Sequence, residues 1–209
     1  FESDPTAPPV TATTKPCIDI KLVGQAGNAQ SVSVQGSYAY FTGNGGLHIL
    51  KVTNPAAPVE VGFYDMPGDA IGVAIAGNYA YVVEVPSGLR IINIANPATP
   101  KEVGFYDMPG NSGDVTVTIA GNYAYVAHPE MGLYIFDVSN PAVPKEVSLY
   151  KITAAYDVAV AGNYAYVIGL SSVGLQIIDV TNPATPIKVA SYNISGVGIA
   201  VAGNYAYVA

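Results

Sequence analysis

The chain has 209 residues, a formal net charge of −7 and a pI of about 4.5, and only 11% of its residues are charged. So little Lys and Arg argues against nucleic acid, whose affinity comes largely from phosphate neutralisation, and against an anionic membrane surface. Half of the residues are hydrophobic, but no uninterrupted run reaches the roughly 18 apolar residues of a membrane helix, and a single cysteine, Cys17, excludes an internal disulfide or a thiolate zinc cluster.

In chain order, residues 1–16 are rich in Pro and Thr and read as a flexible linker. Residues 17–24 open with Cys-Ile-Asp-Ile-Lys-Leu-Val and look like an outer strand. A recurring unit then begins. Gly-Asn-Tyr-Ala-Tyr ends at Tyr81, Tyr125, Tyr166 and Tyr207, and Gly36-Ser37-Tyr38-Ala39-Tyr40 precedes them. The first tyrosines, Tyr38, Tyr79, Tyr123, Tyr164 and Tyr205, are spaced by 41, 44, 41 and 41 residues. A fixed period of this size decides the architecture before any residue is read for chemistry.

One period shows how the chain is organised. Ile71, Val73 and Ile75 alternate with small residues, as in a short strand. Gly77-Asn78 is a two-residue hairpin signal. Tyr79, Tyr81 and Val83 share one face of a second strand, and Leu89 to Ile94 form a third. Asn96-Pro97-Ala98-Thr99-Pro100 breaks that strand, because proline removes backbone donors. Lys101 to Asp107 make a more polar, edge-like fourth strand. The Asn-Pro exit recurs at Asn54-Pro55, Asn140-Pro141 and Asn182-Pro183.

Four short strands per roughly 42 residues predict an all-β fold, a β-propeller of four-stranded antiparallel blades. The expected blades cover about 29–65, 70–108, 113–152 and 155–194. Residues 196–209 supply a first and a second strand only. They and residues 17–24 would form a partial blade at the ends, closing a ring that lacks one strand. The favoured alternative is a piece of a longer propeller cut in mid-blade, because an open edge at Val208 is an aggregation liability.

The unit from Asp157 to Val167, followed by Gly174-Leu175-Gln176-Ile177-Ile178-Asp179-Val180-Thr181-Asn182-Pro183, resembles the LVIVD repeat. The resemblance covers residues 17–209. It implies a β-propeller of secreted or cell-surface prokaryotic proteins, and no catalytic signature accompanies the repeat. Asp137 and Asp179 match the pattern's aspartate, whereas Lys51 and Asn93 depart from it.

The Tyr-Ala-Tyr pairs could form a sugar-stacking platform, but their presence in every unit points to packing between blades. Asp137 and Asp179 read as caps of the following turns rather than as metal ligands. Candidate ligand-binding residues lie at the entrance to the innermost strands: Gln30, Asp69, Asp114, Thr116 and Asp157. There, carboxylates and hydroxyls would gather at one mouth of the channel and hold a polar ligand or a cation, with plain solvent exposure as the competing reading. No cofactor is expected, and nothing in the sequence supports a structural Ca2+. His48 falls in a third strand and His128 in a loop, and they are expected to lie apart. The expected function is a non-enzymatic scaffold that binds a protein or a glycan. The alternative is a propeller belonging to a hydrolase or lyase, with Asp69, Asp114 and Asp157 in its site.

Overall fold

The computed structural model describes residues 29–209 apart from 44, 87, 111–114 and 171–172. The linker assigned to residues 1–16 and the strand assigned to 17–24 therefore lie outside the described residues. Within them all regular structure is extended, with no helix.

The first sheet contains β1 (Ser31–Gln35), β2 (Tyr38–Gly43), β3 (Gly46–Lys51) and β4 (Val59–Asp65). The second contains β5 (Asp69–Ala76), β6 (Tyr79–Val85), β7 (Gly88–Asn93) and β8 (Lys101–Asp107). The third contains β9 (Thr116–Ala120), β10 (Tyr123–His128), β11 (Gly132–Asp137) and β12 (Lys145–Tyr150). The fourth contains β13 (Ala155–Ala161), β14 (Tyr164–Gly169), β15 (Leu175–Asp179) and β16 (Ile187–Tyr192). β17 (Ile199–Ala202) and β18 (Tyr205–Val208) pair alone. Each four-stranded sheet is an antiparallel meander in sequence order.

Local chemistry explains the meander. Ala76 pairs with Tyr79 around Gly77-Asn78, and Gly77 has φ +57°. Positive φ at the first central residue is the type II′ hairpin pattern, which glycine adopts without a Cβ penalty. A register shift between the third and fourth strands recurs in all four sheets, for instance at Ile91/Ile92. Such bulges increase the local twist.

The core is divided among the junctions between sheets. Tyr40 of the first sheet is buried with Val73, Ala80, Val82 and Ile92 of the second. Tyr81 packs in the same way with Ala124, Val126, Tyr134 and Phe136 of the third, and Tyr125 with Val158, Ala165, Val167 and Ile178 of the fourth. The repeated second tyrosine is thus the inter-blade packing residue, as its recurrence predicts. Tyr81 is 4% exposed, whereas Tyr207, with no sheet beyond it, is 59% exposed. At the other end Val32 and Val34 are also exposed. The arc of sheets is open at both ends among the described residues.

The fourth strands lock onto the neighbouring sheet by backbone approach. A Cβ on Gly62 would strike the Pro97 carbonyl, and one on Gly104 the Pro141 carbonyl. At the third junction Ser148 takes this place, and its hydroxyl donates to Pro183 O at 2.6 Å. The Asn-Pro turn of one blade therefore seats against the fourth strand of the blade before it.

Candidate functional site

The strands lead their ends to two faces. On one lie the Gly-Asn hairpins and the Asn-Pro turns, where the repeats agree. Their polar side chains serve the backbone. Asp137 Oδ1 accepts the Ser139 amide at 2.9 Å, and Asp179 Oδ1 accepts the Thr181 amide at 2.8 Å. Hydrogen bonds from Ser139 and Thr181, side chain first and then backbone, hold both carboxyls below their ordinary range. Asn93, which replaces the aspartate, still accepts from Ala95 N at 2.9 Å. Asn54, Asn96, Asn140 and Asn182 each accept an amide two residues on.

The opposite face carries the starts of the first strands, the ends of the second, and the links between sheets. Here the repeats differ. Among the residues expected to form a site, Thr116 Oγ1 donates to Tyr156 O at 3.3 Å, from the third sheet to the fourth. Asp157 Oδ1 accepts Val158 N at 2.8 Å, and its Oδ2 accepts Ile199 N at 2.8 Å. Ser31, at the equivalent position in the first sheet, accepts Val73 N at 3.3 Å. These side chains fasten one innermost strand to the next. Gln30 and Asp69 are exposed on the same face, and Asp114 lies outside the described residues.

The ends of the second strands hold what the sequence reading missed. Equivalent positions carry Gly43, Glu84, His128 and Gly169. The Glu84 side chain is fully buried and paired with Arg90 Nε, and its Oε2 accepts Gly68 N at 3.0 Å. Arg90 Nη1 also donates to Glu102 Oε2 at 2.9 Å, to which Tyr64 OH of the preceding sheet donates at 3.2 Å. Every charge in this buried cluster has a partner, as the cost of an unpaired buried charge requires. A charged residue where a sister repeat has glycine is the signal that could have found it.

His128 corrects the sequence reading. It ends β10 rather than sitting in a loop, because its backbone pairs with Gly132, and it is 3% exposed. Its Nδ1 accepts the Glu130 and Met131 amides at 3.2 and 3.3 Å, which places the imidazole proton on Nε2. Burial pushes its pKa down. With Glu84, Met108 and Gly110 it lines a cavity of about 10 Å3, room for about one water. His48, by contrast, lies between Phe41 and Phe63, each ring 4.6 Å away, with Nδ1 3.1 Å from Glu60 Oε1. No group of three or more His, Cys, Asp or Glu among the described residues is placed to hold a metal.

At the next junction the equivalent residue is Gly169, and the Ala154 carbonyl and the Val173 side chain close over the position a Cβ would take. A separate cleft of about 320 Å3 at this junction is lined by the 130–131 turn, the 151–153 link, Val173 and Gln176.

Antiparallel four-stranded blades packed face to face around their first strands define an arc of β-propeller. The LVIVD repeat model matches residues 26–66, 67–108, 109–152, 153–194 and 196–209, and the chain belongs to the LVIVD repeat family. A search of curated proteins finds no match. Among solved structures it is similar to the periplasmic gluconolactonase PpgL of Pseudomonas aeruginosa, with TM-score 0.68 and 13% identity over 85% of this chain and 57% of that one. A putative 6-phosphogluconolactonase from Bacteroides uniformis gives TM-score 0.68 and 14% identity over 83% and 60%. The computationally designed Ika8 protein gives TM-score 0.63 and 7% identity over 85% and 54%. The chain thus spans little more than half the length of these three proteins. Likeness at such identities concerns the fold.

Proposed function

We propose that this chain is a non-catalytic β-propeller scaffold of a secreted or surface-displayed prokaryotic protein, and that it holds a protein or glycan on the face where its repeats diverge. One observation carries the reading. The repeated polar side chains are engaged by turn backbone, whereas on the opposite face the repeats differ and leave Gln30, Asp65, Asp69, Asp107 and Lys151 exposed, the last beside a cleft of about 320 Å3. Residues that the blade does not require are those free to serve recognition. The exposed Asp65, Asp69 and Asp107 on this face disfavour a nucleic acid. Localisation rests on the LVIVD resemblance alone.

The second reading is a hydrolase or lyase. It is favoured by the likeness to a gluconolactonase fold and by the neutral His128 beside a cavity that Glu84 also lines. One experiment separates the two: the purified chain on a glycan array, with a parallel assay of δ-gluconolactone hydrolysis. Glycan binding without turnover supports the scaffold. Turnover that disappears in His128→Gln replaces it with the enzyme.

A further inference from the structure

We propose that the cleft between the third and fourth sheets is a binding site for a small sugar acid, a polyhydroxylated ring bearing one carboxylate. The inference deepens the scaffold reading and rests on it for the ligand class. The second and third junctions are built differently. At the second junction Gly110 faces His128, whose ring atoms lie 2.7–2.8 Å from where a glycine Cβ would be, and the space is nearly filled. At the third junction Ala154 and Gly169 stand at those positions in close backbone approach, and a cleft of about 320 Å3 lies between the 130–131 turn, the 151–153 link, Val173 and Gln176. That volume suits a small ligand.

The walls are preorganised. Ala154 has φ +59°, a region that alanine seldom adopts, and its amide donates to Pro129 O at 2.6 Å across the junction. A Cβ on Gly132 would strike Ile152 N, and one on Gly169 would strike Ala154 O. The link is therefore held against Gly132 and Gly169 by close backbone approach, which limits the ordering needed there on binding.

The lining specifies the chemistry. Ile152 is buried, and Met131 and Val173 are half-buried, so one side offers an apolar surface for the C–H face of a sugar ring. Gln176 and Thr153 supply an amide and a hydroxyl for ring hydroxyls. Lys151 supplies the charge. Among the described residues Lys51, Lys101, Lys145 and Lys188 lie at the ends or starts of strands on the turn face, and Arg90 is neutralised by Glu84 and Glu102. Lys151 is thus the one basic side chain available on this acidic face among the described residues.

The test titrates D-glucuronate into the chain by calorimetry and ligand-observed NMR, with D-glucose as the uncharged control. The expected Kd for glucuronate is about 1 mM or tighter, with glucose at least about tenfold weaker. Lys151→Gln should weaken glucuronate by about tenfold, and Thr153→Trp, which fills the cleft, should abolish binding while the circular dichroism spectrum stays native. No binding of glucuronate at about 10 mM, equal affinity for glucose, or binding unchanged in natively folded Lys151→Gln overturns the site. A glycan hit on the array that is insensitive to Lys151→Gln overturns the cleft and leaves the scaffold reading standing.

Discussion

The Asp157 carboxylate bridges two blades: its Oδ2 accepts the Ile199 amide at 2.8 Å, 42 residues further on, while its Oδ1 accepts the amide of Val158. Ser31 and Val73 make the same link at the first junction. The two-stranded β17–β18 unit lacks third and fourth strands within the described residues and is held to the fourth sheet by the Asp157–Ile199 bond together with the packing of β17 on β13.

Asp157→Ala should therefore cost about 1–3 kcal/mol in urea unfolding, the range for a part-buried donor left unpaired. The specific readout is amide exchange. Ile199 N–H should exchange faster in the variant, and Asp157→Asn, which keeps one acceptor oxygen, should recover part of the protection. Unchanged exchange at Ile199 would show that the bond contributes nothing.

Tyr106 OH donates to Glu146 Oε2 at 2.7 Å, joining the second and third sheets. That hydrogen bond, with burial adding to it, raises the Tyr106 pKa from 10.0 to about 12. A phenol whose folded pKa is raised contributes stability that is full below the unfolded pKa and is lost as pH rises through the folded value. Stability should fall between about pH 10 and 12. Tyr106→Phe should lose about 1 kcal/mol at neutral pH and flatten that part of the profile. Tyrosinate absorbance against pH and denaturation of both forms check this.

His128 gives the opposite trend at the acid end. Burial lowers its pKa below the ordinary 6.5, and protonation at Nδ1 would displace the Glu130 and Met131 amides. The unfolded chain then takes up the proton first as pH falls. The stability that neutral His128 provides is complete above pH 6.5 and declines as pH drops through the lowered folded value. His128→Asn, which can still accept an amide, should show a shallower decline. An identical decline in both proteins would assign the effect to other groups.

Lys51 stands where Asn93, Asp137 and Asp179 accept the amide two residues on. The first blade lacks this cap. Lys51→Asp should restore it by accepting Thr53 N and should stabilise the chain by about 0.5–1 kcal/mol, within the range for such local improvements. A thermal scan with a higher Tm is the expected outcome. A lower Tm would show that the first turn differs from its sisters.

Much of the fold was legible because its causes are local. Tyr-Ala-Tyr after Gly-Asn marks a second strand through one glycine conformation, and Asn-Pro ends a third strand through a missing donor. The candidate site was less legible. Thr116 and Asp157 were singled out for polarity at strand entrances, yet their bonding partners are Tyr156 O and Ile199 N on neighbouring sheets. Glu84 escaped notice because a glutamate in an apolar strand reveals nothing of Gly68 N and Arg90 until the sheets pack. His128 reads as a loop residue in sequence, yet its backbone pairs with Gly132 at the end of β10.

The sequence by itself determined the blade. A 41- to 44-residue period, alternation by two and glycine at the hairpin act over a few neighbouring residues, and their outcome does not depend on distant chain. Only the tertiary structure decided which side chains the fold engages and which it leaves available. That choice depends on what one blade meets on the next: Gly62 against the Pro97 carbonyl, His128 against Gly110, and Gly169 against the Ala154 carbonyl. Contacts between residues a full repeat apart arise when apolar faces are buried sheet against sheet, and no local pattern encodes them.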